Sequence, residues 1–78
     1  MRLRDLREDH DLTQASIAEY LHLRQNTYSQ YENGQRQIPL NALIQLALYY
    51  DTSVDYLLEL TDVMKPYPRK KTLSKRNF

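Results

Sequence analysis

Five short helices and no strand, an all-α fold, is what this chain of 78 residues predicts. The chain has a single glycine. No stretch alternates apolar and polar residues for long, so strand signals are weak. Apolar residues instead recur at spacings of three and four, the period of a helix with one buried face. Hydrophobic residues make up 41% and charged residues 27%, proportions ordinary for a globular domain. A chain this short builds only a small core, so each core position counts.

Leu3 and Leu6, at i and i+3, define a first segment at about 2–10. Thr13 suits the cap of a second, at about 14–21, because its hydroxyl accepts a backbone N–H that otherwise lacks a partner. Ala15, Ile17, Ala18 and Leu21 supply its apolar positions. A third segment, about 25–32, carries Tyr28 and Tyr31 as core or rim residues with their hydroxyls at the edge. Asn33-Gly34 is the strongest local stop, since both residues tolerate the left-handed conformation that ends helices. Pro39 suits the first turn of a fourth helix, where its missing N–H costs nothing. Leu40, Leu43, Ile44 and Ala47 then follow at i, i+3, i+4 and i+7. Asp51-Thr52-Ser53 reads as a turn and cap, and Val54, Leu57 and Leu58 as a short fifth helix.

Charge divides the chain. Residues 65–78 hold six of the 11 cations and no acid, leaving 1–64 with five cations and all ten acids, a net −5. The expected organisation is one domain at 1–64 and a basic, disordered tail at 65–78, which also holds Pro66 and Pro68. Such a tail either only solubilises or binds a polyanion.

Several function classes fall away. Without cysteine there are no disulfides, thiolate metal sites or cysteine nucleophiles. His10 and His22 are too far apart in sequence to form a helical metal pair. No apolar run spans a membrane and no apolar stretch opens the chain, so a cytoplasmic protein without a membrane partner is expected. No nucleophile–base constellation or phosphate-cradling glycine loop is visible, so neither an enzyme nor a metal or other cofactor is expected.

Five short helices with a tight connection between the second and third is the layout of a helix-turn-helix domain. The outer face of the third segment gathers Arg24, Gln25, Asn26, Thr27, Ser29 and Gln30. Amide side chains bond a base edge with two atoms at once, adenine above all, and an acid there would repel phosphate. A merely solvated face would more often alternate Glu and Lys.

The run Leu12-Thr13-Gln14 to Ile17-Ala18, then Gln25-Asn26-Thr27-Tyr28-Ser29-Gln30-Tyr31-Glu32-Asn33-Gly34, then Arg36-Gln37-Ile38-Pro39, resembles the Xre/Cro/CI-type, lambda-repressor-like helix-turn-helix family. Leu43-Ile44, Leu46-Ala47 and Ser53-Val54-Asp55-Tyr56-Leu57-Leu58 extend the likeness, which covers about residues 2–60. The resemblance implies sequence-specific binding of double-stranded DNA by a transcriptional regulator, a repressor reading a palindromic operator as a homodimer. It implies that the helix near Gln25 lies in the major groove. Gln25, Asn26 and Gln30 would then reach base edges, with Thr27 between bases and backbone. Gln14, Asn33, Gln35 and Arg36 match positions that touch phosphates, and Arg7 and Glu32 match an ion pair between first and third helices.

Two departures lie in the turn. His22 stands where the family usually has glycine, at a position that needs positive φ. Arg24 stands where the family usually has a capping Ser or Thr, and is expected to contact phosphate instead. The acidic body leaves few cations for DNA: Arg24 and Arg36, with Arg2 and Arg4 as possible helpers. The fifth helix with Leu60 and Val63 is either a dimer interface or part of the core. A protein-interaction module on the same fold, antitoxin-like or anti-regulator, is the alternative.

Overall fold

The structure, a computed structural model, describes residues 1–68. Its helices are α1 (Leu3–Asp9), α2 (Gln14–Tyr20), α3 (Gln25–Glu32), α4 (Leu40–Tyr49) and α5 (Val54–Leu57). All five expected helices are present, each within a residue or two of its expected bounds, and no strand occurs among the described residues. The chain divides into two compact units between Ile38 and Pro39.

In the first unit α2 packs against α3. Ile17, Ala18 and Leu21 are buried on the α2 side and Tyr28 and Tyr31 on the α3 side, while α1 buries Leu3 and Leu6. Thr13 caps α2 as expected, accepting the Ser16 N–H at 3.1 Å. Two expectations change. Ala15 is exposed, because it turns away from the face that Ile17, Ala18 and Leu21 share. Tyr28 is wholly buried, ring and hydroxyl, and so belongs to the core rather than its rim.

In the second unit α4 packs against α5. The buried face of α4 runs through Ala42, Leu43, Leu46 and Ala47. Leu40 and Ile44 therefore fall at its edge, and Leu40 is exposed rather than core. Pro39 stands at the N-cap of α4, one residue before the first turn. Ser53 caps α5 by accepting the Tyr56 N–H at 3.0 Å. Leu57 is fully buried, whereas Leu58, Leu60 and Val63 are exposed. Only 65–68 of the expected tail lie among the described residues, and 69–78 lie outside them. At Met64 and Tyr67 the chain is tied back to its own unit. The Thr52 hydroxyl donates to the Met64 carbonyl, and the Tyr67 hydroxyl donates to Asp55 Oδ2 at 2.8 Å.

All five helices end in one way. A residue with φ between 54° and 76° follows each C-cap: Asp11, His22, Gly34, Asp51 and Glu59. Its N–H returns to the carbonyl three residues back, and the next N–H returns five back, as in Leu12 to Arg7 at 3.0 Å and Leu23 to Ala18 at 2.8 Å. This double closure satisfies carbonyls that the helix end leaves open. It also reverses the chain within two residues. The positive φ expected at His22 is present, at 58°. At the Asn33-Gly34 stop only Gly34 is left-handed, with Asn33 remaining right-handed at φ −83°. A Cβ on Gly34 would meet nothing within 4 Å, so conformation rather than space favours glycine there.

Four of the five left-handed positions thus carry a side chain. The left-handed state costs an L-residue about 1–2 kcal/mol, less for Asp, and glycine avoids it at an entropic cost of about 0.5–1 kcal/mol. His22→Gly and Glu59→Gly are each expected to raise Tm by roughly 2–8 °C in thermal unfolding followed by circular dichroism. Asp11→Gly and Asp51→Gly should gain less. An unchanged or lowered Tm for His22→Gly would contradict this account.

Candidate nucleic-acid interface

One buried carboxylate organises the first unit. Glu32, the last residue of α3, has a side chain with no solvent exposure. Arg7 of α1 grips it with two donors, Nε to Oε2 at 2.7 Å and Nη2 to Oε1 at 3.2 Å. The third Arg7 nitrogen, Nη1, donates to the Leu12 carbonyl at 2.9 Å. Gln14, the first residue of α2, donates Nε2 to Glu32 Oε1 at 3.1 Å. Arg4 of α1 approaches the same oxygen at 3.6 Å. The ion pair expected between Arg7 and Glu32 is therefore present, and it joins three helices rather than two.

Burial alone would push the Glu32 carboxyl up. Hydrogen bonds from Arg7 and Gln14, with the Arg7 charge and the influence of the nearby Tyr28 hydroxyl, outweigh it and hold Glu32 below the usual carboxylate range. The Glu32 hydrogen bond and charge, opposed by burial, raise Arg7 above its ordinary value. The paired, hydrogen-bonded form is thus favoured.

The anchored helix presents its opposite end. Gln25 and Asn26 are exposed in the first turn of α3, and Thr27 and Gln30 are half-buried. No acid lies in that turn. Arg24 occupies the N-cap, exposed, and makes no side-chain cap hydrogen bond. First-turn N–H groups without a side-chain cap, with the helix dipole behind them, favour an anion. At the other end, Gln35 and Arg36 are exposed, and their N–H groups both donate to the Gln30 carbonyl, at 3.0 and 3.3 Å. The loop is thereby fixed to α3. Arg24, Gln25 and Asn26 lie together at the start of α3, and Asn33, Gln35 and Arg36 follow its end.

Two candidates have partners that sequence reasoning did not foresee. Gln14 is half-buried, with one amide proton engaged by Glu32. Asn33 accepts from Arg4 Nη2 through Oδ1 at 2.9 Å. Residues 18 and 29 positions apart make these contacts, and no local spacing encodes them. Sequence also missed that the Tyr28 hydroxyl acts on Glu32.

Glu32→Gln leaves the Arg7 guanidinium without its counter-charge. It is expected to destabilise the chain by about 3 kcal/mol in urea unfolding at pH 7. Because the folded-state value of Glu32 is depressed, its stabilisation is present above the unfolded value of about 4.3 and is lost as pH falls below it. Glu32→Gln should therefore flatten the loss of stability below about pH 4. An acid limb as steep as that of the wild type would contradict the assignment.

Residues 3–57 match the helix-turn-helix family model. Among curated proteins, the uncharacterized HTH-type transcriptional regulator YobD of Bacillus subtilis (strain 168) is 43% identical over 72 residues, covering 92% of this chain and 64% of that protein. The HTH-type transcriptional regulator ImmR of the same organism is 36% identical, over 82% of this chain and 50% of its own length. AnsR, also an HTH-type transcriptional regulator of B. subtilis, is 39% identical, over 73% and 49%. The chain spans about half to two thirds of the length of these three relatives. No solved structure matches significantly. No helix among the described residues is long and apolar enough to cross a membrane. A match over more than half its length, on the helices and turn described above, places this chain in the helix-turn-helix family of the Xre/Cro type, a family of regulators rather than enzymes.

Proposed function

We propose that this chain binds double-stranded DNA sequence-specifically and regulates transcription, with α3 inserted in the major groove. One observation carries the reading: the exposed, acid-free first turn of α3, bearing Arg24, Gln25 and Asn26, at the far end of a helix whose last residue is locked by a buried ion pair. A reading helix must offer donors and acceptors to base edges and hold its angle while it does so. Gln25, Asn26 and Gln30 read bases, and Thr27 sits between bases and backbone. Arg24, Asn33, Gln35 and Arg36 contact phosphates. Gln14 joins them through its second amide proton, the first being held by Glu32. Phosphate contacts fix register, and base contacts carry the sequence information.

The regulator acts as a repressor and binds as a homodimer. The exposed Leu58, Leu60 and Val63 support an interface after α5. Two-fold symmetry would set the two reading helices about one DNA turn (~34 Å) apart on a palindrome. Few cations face the DNA, so affinity rests on amide and backbone contacts and falls only gently with salt.

Selection from a random duplex pool tests this. Wild type is expected to enrich a palindromic motif, and Gln25→Ala/Gln30→Ala to lose it, since a bidentate amide–base contact discriminates by about 1–3 kcal/mol. A wild type that enriches nothing at low salt would overturn the reading in favour of a protein-interaction module.

A further inference from the structure

Two guanidiniums face one carboxylate. Arg7 holds it at 2.7 Å with 13% side-chain exposure, and Arg4 stands at 3.6 Å with 52% exposure. Arg7 therefore neutralises the buried charge, and Arg4 stands beside the pair at the surface, on the helix that also carries Asp5 and Glu8.

Arg4 also makes a hydrogen bond whose direction is forced. A guanidinium has donors only, so the Asn33 atom facing Arg4 Nη2 at 2.9 Å is the carbonyl oxygen Oδ1. With Oδ1 held, the Asn33 amide nitrogen must point the other way, and both residues are exposed. Arg4 thus has further N–H donors beside an exposed amide whose nitrogen is turned away from it. Gly34, left-handed and without a Cβ, follows directly and leads to the exposed Arg36.

We propose that Arg4 and Asn33 form one composite clamp for a backbone phosphodiester, with Arg4 both contacting the phosphate and orienting the Asn33 amide toward it. The clamp rests on the DNA-binding reading above and deepens it. It supplies a cation to a face that is short of them, and it does so from α1 rather than from the reading helix. A phosphate is bound without regard to sequence, so the clamp strengthens every duplex alike and leaves base preference to α3.

The test compares wild type, Arg4→Met, Arg4→Lys, Asn33→Ala and the Arg4→Met/Asn33→Ala double variant. Each is titrated by fluorescence anisotropy with the duplex selected above and with a mixed-sequence duplex, across a salt series, with Tm measured beside it. Arg4→Met is expected to weaken binding to both duplexes by roughly fivefold at low salt and to make the slope of log affinity against log salt shallower by about 0.9 for each clamp lost. Arg4→Lys should keep the slope while losing part of the affinity, because it retains the charge without the fork of donors. The double variant should lose less than the product of the single losses, since each residue acts through the other. Tm should stay within a few degrees of wild type, as an exposed pair contributes little stability. If wild type binds duplex and Arg4→Met leaves the salt slope unchanged, the clamp is overturned and the DNA reading survives. If the single losses simply multiply, the shared clamp is overturned and two separate contacts replace it. If wild type binds no duplex at any salt, both readings fall.

Discussion

A carboxylate buried where no water reaches it must be surrounded by donors or be protonated. Glu32, on α3, satisfies that requirement with Arg7 of α1 and Gln14 of α2, so one carboxylate ties three helices together. Moving α3 relative to either neighbour would strand a charge inside the first unit, which costs far more than the pair contributes when intact. The ion pair is therefore better understood as a device for fixing the angle of α3 than as a source of stability. A helix that reads bases by bidentate amide contacts needs that angle, because those contacts fail with small displacements.

Small size imposes a second constraint. Five helices of four to ten residues must reverse direction within a few residues each. The chain solves this with one closure used five times, and only Gly34 adopts it without strain. The other four residues are polar or charged and sit at exposed turns, where a strained backbone exchanges some stability for a side chain on the surface. His22 is the position where this matters for function, since it lies in the turn that sets α3 against α2. Arg24, two residues on, gives up a helix cap and places a cation at the start of α3 instead. Both departures concentrate in the same short connection.

Charge is scarce on the proposed DNA face, and the structure shows how it is distributed. Of the five arginines in the first unit, Arg7 is committed to Glu32, while Arg4, Arg24 and Arg36 are exposed. In the second unit the Tyr67–Asp55 and Thr52–Met64 hydrogen bonds tie the chain after α5 back to that unit. The Asp55 carboxylate raises the Tyr67 hydroxyl above its ordinary value, which keeps the phenol as the donor.

Local pattern determined the helices. The bounds of α3, the Thr13 and Ser53 caps and the stop at Gly34 all follow from interactions within a few residues, where sequence spacing is spatial spacing, whereas the positive φ at His22 was implied by the family likeness. Periodicity placed the α4 stripe, but it could not centre it: Leu40 and Leu46 are equally apolar, and only packing decided that Leu46 is buried and Leu40 exposed. Family likeness anticipated the Arg7–Glu32 pair, and it located the candidate reading residues on α3. It did not give Gln14 a second duty or connect Arg4 to Asn33. Those contacts join residues far apart in the chain, and they exist only because tertiary packing brings α1, α2 and the end of α3 around one buried charge. Sequence alone thus settled which segments are helices and what chemistry each carries; tertiary structure decided which side chains that chemistry leaves for a partner, because a hydrogen bond made inside the protein commits a donor that sequence reading leaves unassigned.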